Sequence, residues 1–340
     1  MHVSDFDYDL PAERIAQEPL AERDASRLLM LDRRTGAICH HSFLELPDQL
    51  RSDDVLVVNN SKVIPARLRG RKATGGQAEV LLVRPMDNGD WLAMTRPGLA
   101  AGGQVVVAHD GLELNIEALA VEDDGLRVVR LTANSGDVAA AAAQLGELPT
   151  PPYIHTRLAD PGRYQTIYAA PEGSIAAPTA GLHFTPRVLA ALKARGVAVE
   201  YLTLHVGLGT FLPVRTDAVD DHQMHAEWYT LTAETAARLN AARRQGRRVI
   251  AIGTTTSRAL ESAGQDGEVQ PGSGETSLFI RPGYQFRVID GLLTNFHLPR
   301  STLLMLVSAF AGRQHVLAAY AAAVRAGYRF YSFGDAMLIV

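Results

Sequence analysis

Apolar residues along this chain follow two different rhythms. Between Arg67 and Thr132, short runs rich in Val, Leu and Ile fall at 78–84, 91–95, 104–108, 112–118 and 127–131, with Asn88-Gly89, Asp110-Gly111 and Asp124-Gly125 in the gaps. Such dipeptides supply the positive φ of two-residue hairpins. Strands at this spacing, with no helix between them, predict a small antiparallel barrel or sandwich, although weak alternation leaves the register open. Elsewhere strands and helices alternate. Segments 28–32 and 55–59 read as strands, and 137–145 as an alanine-rich helix followed by a linker marked by Pro149, Pro151 and Pro152. Thr185-Pro186 opens a helix, with Thr as N-cap and Pro at the first helical position, and Gly196 closes it. A strand at 197–205, a helix at 232–245 ended by Gly246, and a buried-type strand at 248–253 follow. Segments 277–280 and 287–290 read as strands, 299–311 and 314–326 as helices, and 335–340 as a last strand. This alternation indicates an α/β core. Because two of its strands precede the all-β stretch, the predicted core is discontinuous, built from 1–65 and 155–340, with residues 66–154 inserted as a β-barrel domain.

Composition narrows the picture. A chain of 340 residues, 47% hydrophobic and 21% charged, can bury a core without staples. The single cysteine, Cys39, excludes an intramolecular disulfide and any multi-cysteine metal site. The first nine residues carry Asp5, Asp7 and Asp9 and no apolar run, and the longest apolar stretch, 303–311, is too short for a bilayer. A soluble cytoplasmic protein is expected, with a monomer the simplest state. The net charge of −4 means that any nucleic-acid contact must be local. Two clusters qualify: Lys62, Arg67, Arg69, Arg71 and Lys72, and Arg243, Arg244, Arg247 and Arg248. A solvated face explains such runs equally well, and arginine at a helix C-terminus also suits the helix dipole.

Ligands of α/β folds gather where strands end. Three such ends are rich in small and polar groups: 204–211, 253–258 and 293–299. A fourth segment, 177–185, is a loop before a helix. Gly207 and Gly209 do not make a dinucleotide fingerprint, which needs a third glycine and an immediate helix; Pro213 stands where that helix would run. The pair marks either a tight turn or close backbone approach to a ligand. A helix cap needs one hydroxyl, yet Thr254, Thr255, Thr256 and Ser257 offer four, beside amides that can hold an anion. His222, His225 and Glu227 lack the spacing of a zinc set, so no metal is expected; a polar role for His225 or Glu227 and a plain surface turn both remain open. His183, His205 and His297 each lie in such a loop. A lone histidine is usually structural, but three placed this way predict at least one acid or base working near neutral pH.

Taken together, Asp5–Pro11 (by number, 5–11), 23–28, 63–68, 176–185, 203–211, 222–227, 294–308 and 334–339 closely resemble the S-adenosylmethionine:tRNA ribosyltransferase-isomerase family of queuosine biosynthesis. The matches run from end to end. Two departures stand out: Asn59-Asn60-Ser61-Lys62 where the family usually has Asn-Asp-Thr-Arg, and Thr256-Ser257-Arg258-Ala259 where it usually has Ser-Val-Arg-Thr. Asn60 removes a carboxylate, so no general base is assigned there. The resemblance implies a barrel-like α/β core with an inserted small antiparallel β-barrel. It implies S-adenosylmethionine as ribosyl donor, and as acceptor a 7-aminomethyl-7-deazaguanine at the tRNA wobble position. Epoxyqueuosine-tRNA, adenine and methionine are the implied products.

That chemistry needs a base for the ribose C5′ proton beside the sulfonium and an acid for adenine, for which His183, His205 and His297 are the candidates. The donor site is expected at Gly181, Phe184, Gly207, Gly209, Phe211, Thr254, Thr255, Thr256 and Arg258. Phe184 or Phe211 would offer the sulfonium an aromatic face, and Arg258 would hold the methionine carboxylate. Two rivals stand beside this reading. One is a glycosyltransferase or lyase acting on a free nucleoside. The other is a non-catalytic RNA-binding module, against which 6% aromatic residues and the negative charge speak.

Overall fold

The computed structural model describes residues 1–122, 125–156, 158–207, 209, 214 and 216–340. The chain forms two compact units: Met1–Ser61, Pro152–Pro171 and Ala177–Val340 make the first, Lys62–Pro151 and Glu172–Ala176 the second. The first unit opens with β1 (Arg27–Leu31), β2 (Ile38–Ser42), the one-turn α1 (Leu46–Gln49) and β3 (Val55–Asn59).

The second unit contains β4 (Lys62–Val63), β5 (Arg67–Lys72), β6 (Gln77–Pro85), β7 (Trp91–Arg96), β8 (Gln104–His109), β9 (Leu112–Val121), β10 (Arg127–Ala133), α2 (Val138–Leu145) and β11 (Glu172–Ser174). Strands β5–β10 close an antiparallel barrel in the order β10-β7-β6-β5-β8-β9. The β8–β9 turn works as its residues predict: Asp110 and Gly111 sit at φ 49° and 81°. Residues 172–176 belong to this unit because β11 pairs in parallel with β4, a contact that no local signal announces.

The first unit resumes with α3 (Pro186–Ala194), β12 (Ala198–Leu204), β13 (Glu227–Leu231), α4 (Ala233–Arg244), β14 (Val249–Ile252), α5 (Thr254–Ala263), the small hairpin β15 (Gly264–Gln265) and β16 (Glu268–Val269), β17 (Gly272–Thr276), β18 (Gly291–Asn295), α6 (Thr302–Ala311), α7 (Arg313–Arg325) and β19 (Ala336–Ile339). Its sheet has nine strands in the order β17-β13-β12-β3-β14-β18-β19-β1-β2. The inner four, β12, β3, β14 and β18, run parallel. Strands β13 and β19 run against their neighbours β12 and β18, and β1 follows β19. The sheet is thus mixed, and its central strands are continuous apolar runs because both faces are covered. One face carries Leu56, Val58, Ile250, Ile252, Leu293 and Leu338 against Phe43, Phe184, Val188 and Leu192; helix α5 packs on the sheet over β3, β14 and β18.

Two predicted strands, at 277–280 and 287–290, do not form. Ile280, Val288 and Ile289 are buried, but in the second segment a side chain takes the place of a ladder. The buried carboxylate of Glu261 accepts from the amides of Arg287, Val288 and Ile289 at 2.9, 3.0 and 3.1 Å. Conversely, Gly272–Thr276 lacks an apolar signal and becomes a strand only by pairing with β13. Among the described residues no single helix is long and apolar enough to cross a membrane; α6 and α7 pass on length and composition only as a pair bent by 114°.

Candidate functional site

Strand direction brings the chemically rich segments to one rim. The four parallel strands end at Leu204, Asn59, Ile252 and Asn295, and the strands opposed to them begin there, so Glu227, Ser26 and Asp335 arrive at the same edge. The rim is knitted by side chains. Asn59 donates to the Leu204 carbonyl at 2.9 Å and accepts from the Leu204 and Ser61 amides, both at 3.0 Å. Asn60 accepts from the Thr203 hydroxyl at 2.7 Å, so the position that lacks a carboxylate still ties two strand ends together.

His183 is the best-defined group. It ends the short helical turn Thr179–His183, is buried, and stacks on Phe43 with ring centroids 4.9 Å apart. Its Nδ1 lies 2.8 Å from Ser26 Oγ and its Nε2 3.3 Å from Asn295 Nδ2. Asn295 is itself oriented, because Nδ2 donates to the Tyr331 carbonyl at 3.1 Å and Oδ1 accepts from Thr179 Oγ1 at 3.1 Å. An amide NH₂ facing Nε2 makes that nitrogen the acceptor and leaves the proton on Nδ1, toward Ser26. Burial depresses the imidazole to about 4, against a smaller upward pull from Asp335, so the ring is neutral at pH 7. His183 and Ser26 line a small cavity with Arg23, Leu182, Ser332 and Phe333.

The loop that carries Ser26 is fixed from below. Asp24, fully buried, accepts from the N-cap hydroxyl of Thr185 at 2.5 Å and from the Arg187 guanidinium, which together hold its carboxyl below the usual range. Gly181 lies under the Tyr168 hydroxyl: a Cβ there would come within 2.2 Å of it. Gly253, the residue before α5, sits at φ 91° and its Cβ position lies 3.5 Å from that of Ala180, which brings the N-terminus of α5 to the turn carrying His183. The first intrahelical bond of α5 is Ser257 N–H to the Gly253 carbonyl at 3.1 Å. The amides of Thr254, Thr255 and Thr256 are therefore the unpaired ones of the helix start. The Thr256 hydroxyl is spent on the Ile252 carbonyl at 2.7 Å, whereas those of Thr254 and Thr255 bond no described residue.

Other expected residues take different positions. Arg258 is buried and committed: it pairs with Glu227 and donates to the Leu278 and Thr276 carbonyls at 3.0 and 3.2 Å. It therefore has no open fork for a methionine carboxylate. Glu227 uses its other oxygen to accept from the Gly207 amide at 2.9 Å, so this ion pair holds the 205–207 turn. Gly207 itself is not sterically forced, its Cβ position lying 3.6 Å from Glu227 Cγ, whereas Gly209 is crowded by His225 at 3.2 Å. Phe184 is a core residue, fully buried and edge-on to Phe43 and Tyr168, rather than a ligand-facing ring. Phe211 lies outside the described residues. His205 is half-buried; its Nδ1 is buried with no partner among the described residues, and desolvation lowers its pKa. His297 reaches the rim from the opposite face of the sheet, since its Nε2 lies 2.8 Å from Thr294 Oγ1 and successive residues of β18 point to opposite faces. Its carbonyl accepts from the Tyr8 hydroxyl at 2.5 Å, its amide donates to Tyr320 at 3.0 Å, and burial depresses the ring to about 3.

Residue-type reasoning passed over Asn295 and Ser26, which set the His183 tautomer. Both lie in stretches whose composition was informative, but nothing in sequence spacing says that 26, 183 and 295 meet.

The comparisons with known proteins agree over the whole chain. The model of the family described as queuosine biosynthesis protein matches residues 3–339. S-adenosylmethionine:tRNA ribosyltransferase-isomerases of Moorella thermoacetica and Desulfitobacterium hafniense are 53% and 52% identical, each alignment covering 100% of this chain and 100% of the relative. A crystal structure titled S-adenosylmethionine tRNA ribosyltransferase, from Thermotoga maritima, is 39% identical with a TM-score of 0.58, over 99% of this chain and 100% of that one.

Proposed function

The chain belongs to the queuosine biosynthesis protein family, and from that premise we propose that it moves and isomerises the ribosyl group of S-adenosylmethionine onto 7-aminomethyl-7-deazaguanine at the tRNA wobble position. Adenine and methionine leave, and epoxyqueuosine-tRNA remains. The observation that carries the site assignment is the meeting of His183, the open amides of α5 and the Gly207 turn at one end of four parallel strands.

The donor's carboxylate suits the N-terminus of α5, where three unpaired amides and the hydroxyls of Thr254 and Thr255 converge. This replaces the Arg258 contact, whose fork is already filled. Gly207 and Gly209 offer backbone close to the sugar, and Arg258 with Glu227 keeps that turn in place. The sulfonium acidifies C5′, and a neutral imidazole with an available lone pair can take that proton; His183 is neutral and can do so at Nε2 once that nitrogen gives up its 3.3 Å contact with Asn295, and His205 has an unpaired ring nitrogen, which makes these two the proton-transfer groups. A well-placed base of this kind contributes about 10²–10⁴-fold. His297, tied at its ring and at both main-chain groups, holds the end of β18 instead.

Purified protein given S-adenosylmethionine and an anticodon stem-loop bearing the deazaguanine should release adenine in step with ribosyl transfer, and His183→Ala should lower that rate at least a hundredfold. No adenine from the wild-type protein would overturn the function. A His183→Ala loss under tenfold would leave the function standing and remove His183 from the chemistry.

A further inference from the structure

The edge of the core sheet carries two exposed aromatic rings, Trp228 and Tyr201, to which the reaction centre gives no role. In β12 and β13 the register pairs Thr203 with Thr230 and Leu204 with Tyr229. One step further, the His205 amide donates to the Trp228 carbonyl at 2.9 Å, so His205 and Trp228 are cross-strand neighbours. Alternation then puts Tyr201, Thr203 and His205 on one face with Trp228 and Thr230, and β17 adds Ser273 and Glu275. The other face holds the buried Leu202, Leu204, Glu227 and Leu231. Trp228 is 49% exposed and Tyr201 39% exposed, in a chain with two tryptophans. Large rings left this open on a regular strand are not packing the core.

This face is continuous with the candidate site. Tyr201 is in register with Val58, Val58 with Ile252, and Ile252 with Leu293, two residues before the Asn295 that holds His183. Tyr201 also meets Tyr168 edge-on at 6.0 Å, and the Tyr168 hydroxyl covers Gly181 beside His183. At its other end the face carries His205. Between the two rings runs a row of hydroxyls, Thr203, Thr230 and Ser273, the last two 2.8 Å apart.

We infer that this face is a stacking surface for unpaired bases of the anticodon loop, with Trp228 taking a base beside the reaction centre and Tyr201 a second one. The inference rests on the tRNA acceptor proposed above. Sequence-tolerant binding of single-stranded RNA uses aromatic rings on a sheet surface, with hydroxyls available to base edges or sugar. Trp228 and Tyr201 lie four strand residues apart along the sheet, about 13 Å, so they address different nucleotides rather than sandwich one. Stacking works through π-faces, which is why this surface needs no excess of basic residues in a chain of net charge −4.

The test uses the full-length chain, a deazaguanine-bearing anticodon stem-loop, and Trp91→Phe as background so that Trp228 is the sole indole. RNA should quench Trp228 fluorescence on binding. Trp228→Ala and Tyr201→Ala should each weaken RNA affinity roughly five- to a hundredfold. Trp228→Phe should restore most of it, and S-adenosylmethionine affinity should stay within twofold. Unchanged fluorescence, or RNA affinity within twofold of wild type in both alanine variants, overturns the surface while leaving the activity intact. Quenching that depends on protein concentration without RNA, together with a dimer in sedimentation, also overturns it, by giving the face to a second copy of the chain. Failure of wild-type protein to bind the stem-loop at all overturns the tRNA reading on which it rests.

Discussion

At the scale of single residues, the histidines show how burial sets protonation. His183 and His297 are depressed to about 4 and about 3, mainly by desolvation. In the unfolded chain both titrate near 6.5. Protons therefore favour the unfolded chain below 6.5: stability is complete above that pH and falls as the pH drops toward about 4. Each histidine contributes a slope of about 1.4 kcal/mol per pH unit in that window. Denaturant midpoints measured from pH 7.5 to 4.5 should hold down to about pH 6.5 and then fall, and the fall should be shallower in His183→Gln, whatever that variant's stability at pH 7.5. Equal slopes in the two proteins would show that His183 is not buried neutral. The residues themselves were legible as a class in the sequence; their separation was not. His183 and His297 look alike in their loops, yet Asn295 orients one on the core face and Thr294 holds the other on the reverse.

At the scale of elements, the turn Thr179–His183 depends on a close approach that only a missing side chain permits. Gly181 lies within 2.2 Å of the Tyr168 hydroxyl when a Cβ is placed on it, with Thr166 Cγ2 next at 2.9 Å. Gly181→Ala must push Tyr168 or the turn aside, and with it His183. The variant should lose activity and roughly 1–3 kcal/mol of stability, the usual cost of overpacking. Adding Tyr168→Phe removes the nearest clash and should recover part of both, as read by thermal unfolding and adenine release; a double variant no better than Gly181→Ala would rule out the hydroxyl as the obstacle. Helix starts were readable where a threonine cap opens the segment, Thr185 for α3 and Thr232 for α4, whereas the helix read from 299 starts only at Thr302, behind the Ser301 cap. Segments 277–280 and 287–290 misled because Ile280, Val288 and Ile289 are buried without a ladder, and amides of the two segments are served by Glu261 and Thr276.

At the scale of the whole molecule, charge is distributed differently from what its clusters suggest. Of the second basic cluster, Arg244 pairs with Glu268 and Arg248 with Asp54, while Arg243 and Arg247 donate to carbonyls. That cluster is spent on structure. Within the barrel unit, Arg67 and Arg69 pair with Glu79, but a groove there also carries Arg71 and Arg96. Phosphate contacts in this groove predict a linear fall of log affinity with log salt, with a slope reduced by about 1 for each contact removed. Arg71→Ala and Arg96→Ala should flatten the salt dependence of stem-loop binding, and Arg244→Ala should not; the reverse pattern would place the RNA on the other surface.

The sequence by itself determined the two rhythms of apolar residues, the caps and hairpin turns, and the long literal stretches that carry the family, because those are local or linear properties. It also named the segments in which chemistry resides. Which of their side chains face one another was decided by strand order and direction alone. The alignment of four parallel strands, with three opposed strands beginning at the same rim, brings residues 26, 183 and 295 into one hydrogen-bonded set and closes Arg258 upon Glu227. Those contacts join positions up to 157 residues apart, and no period or motif in the chain encodes them.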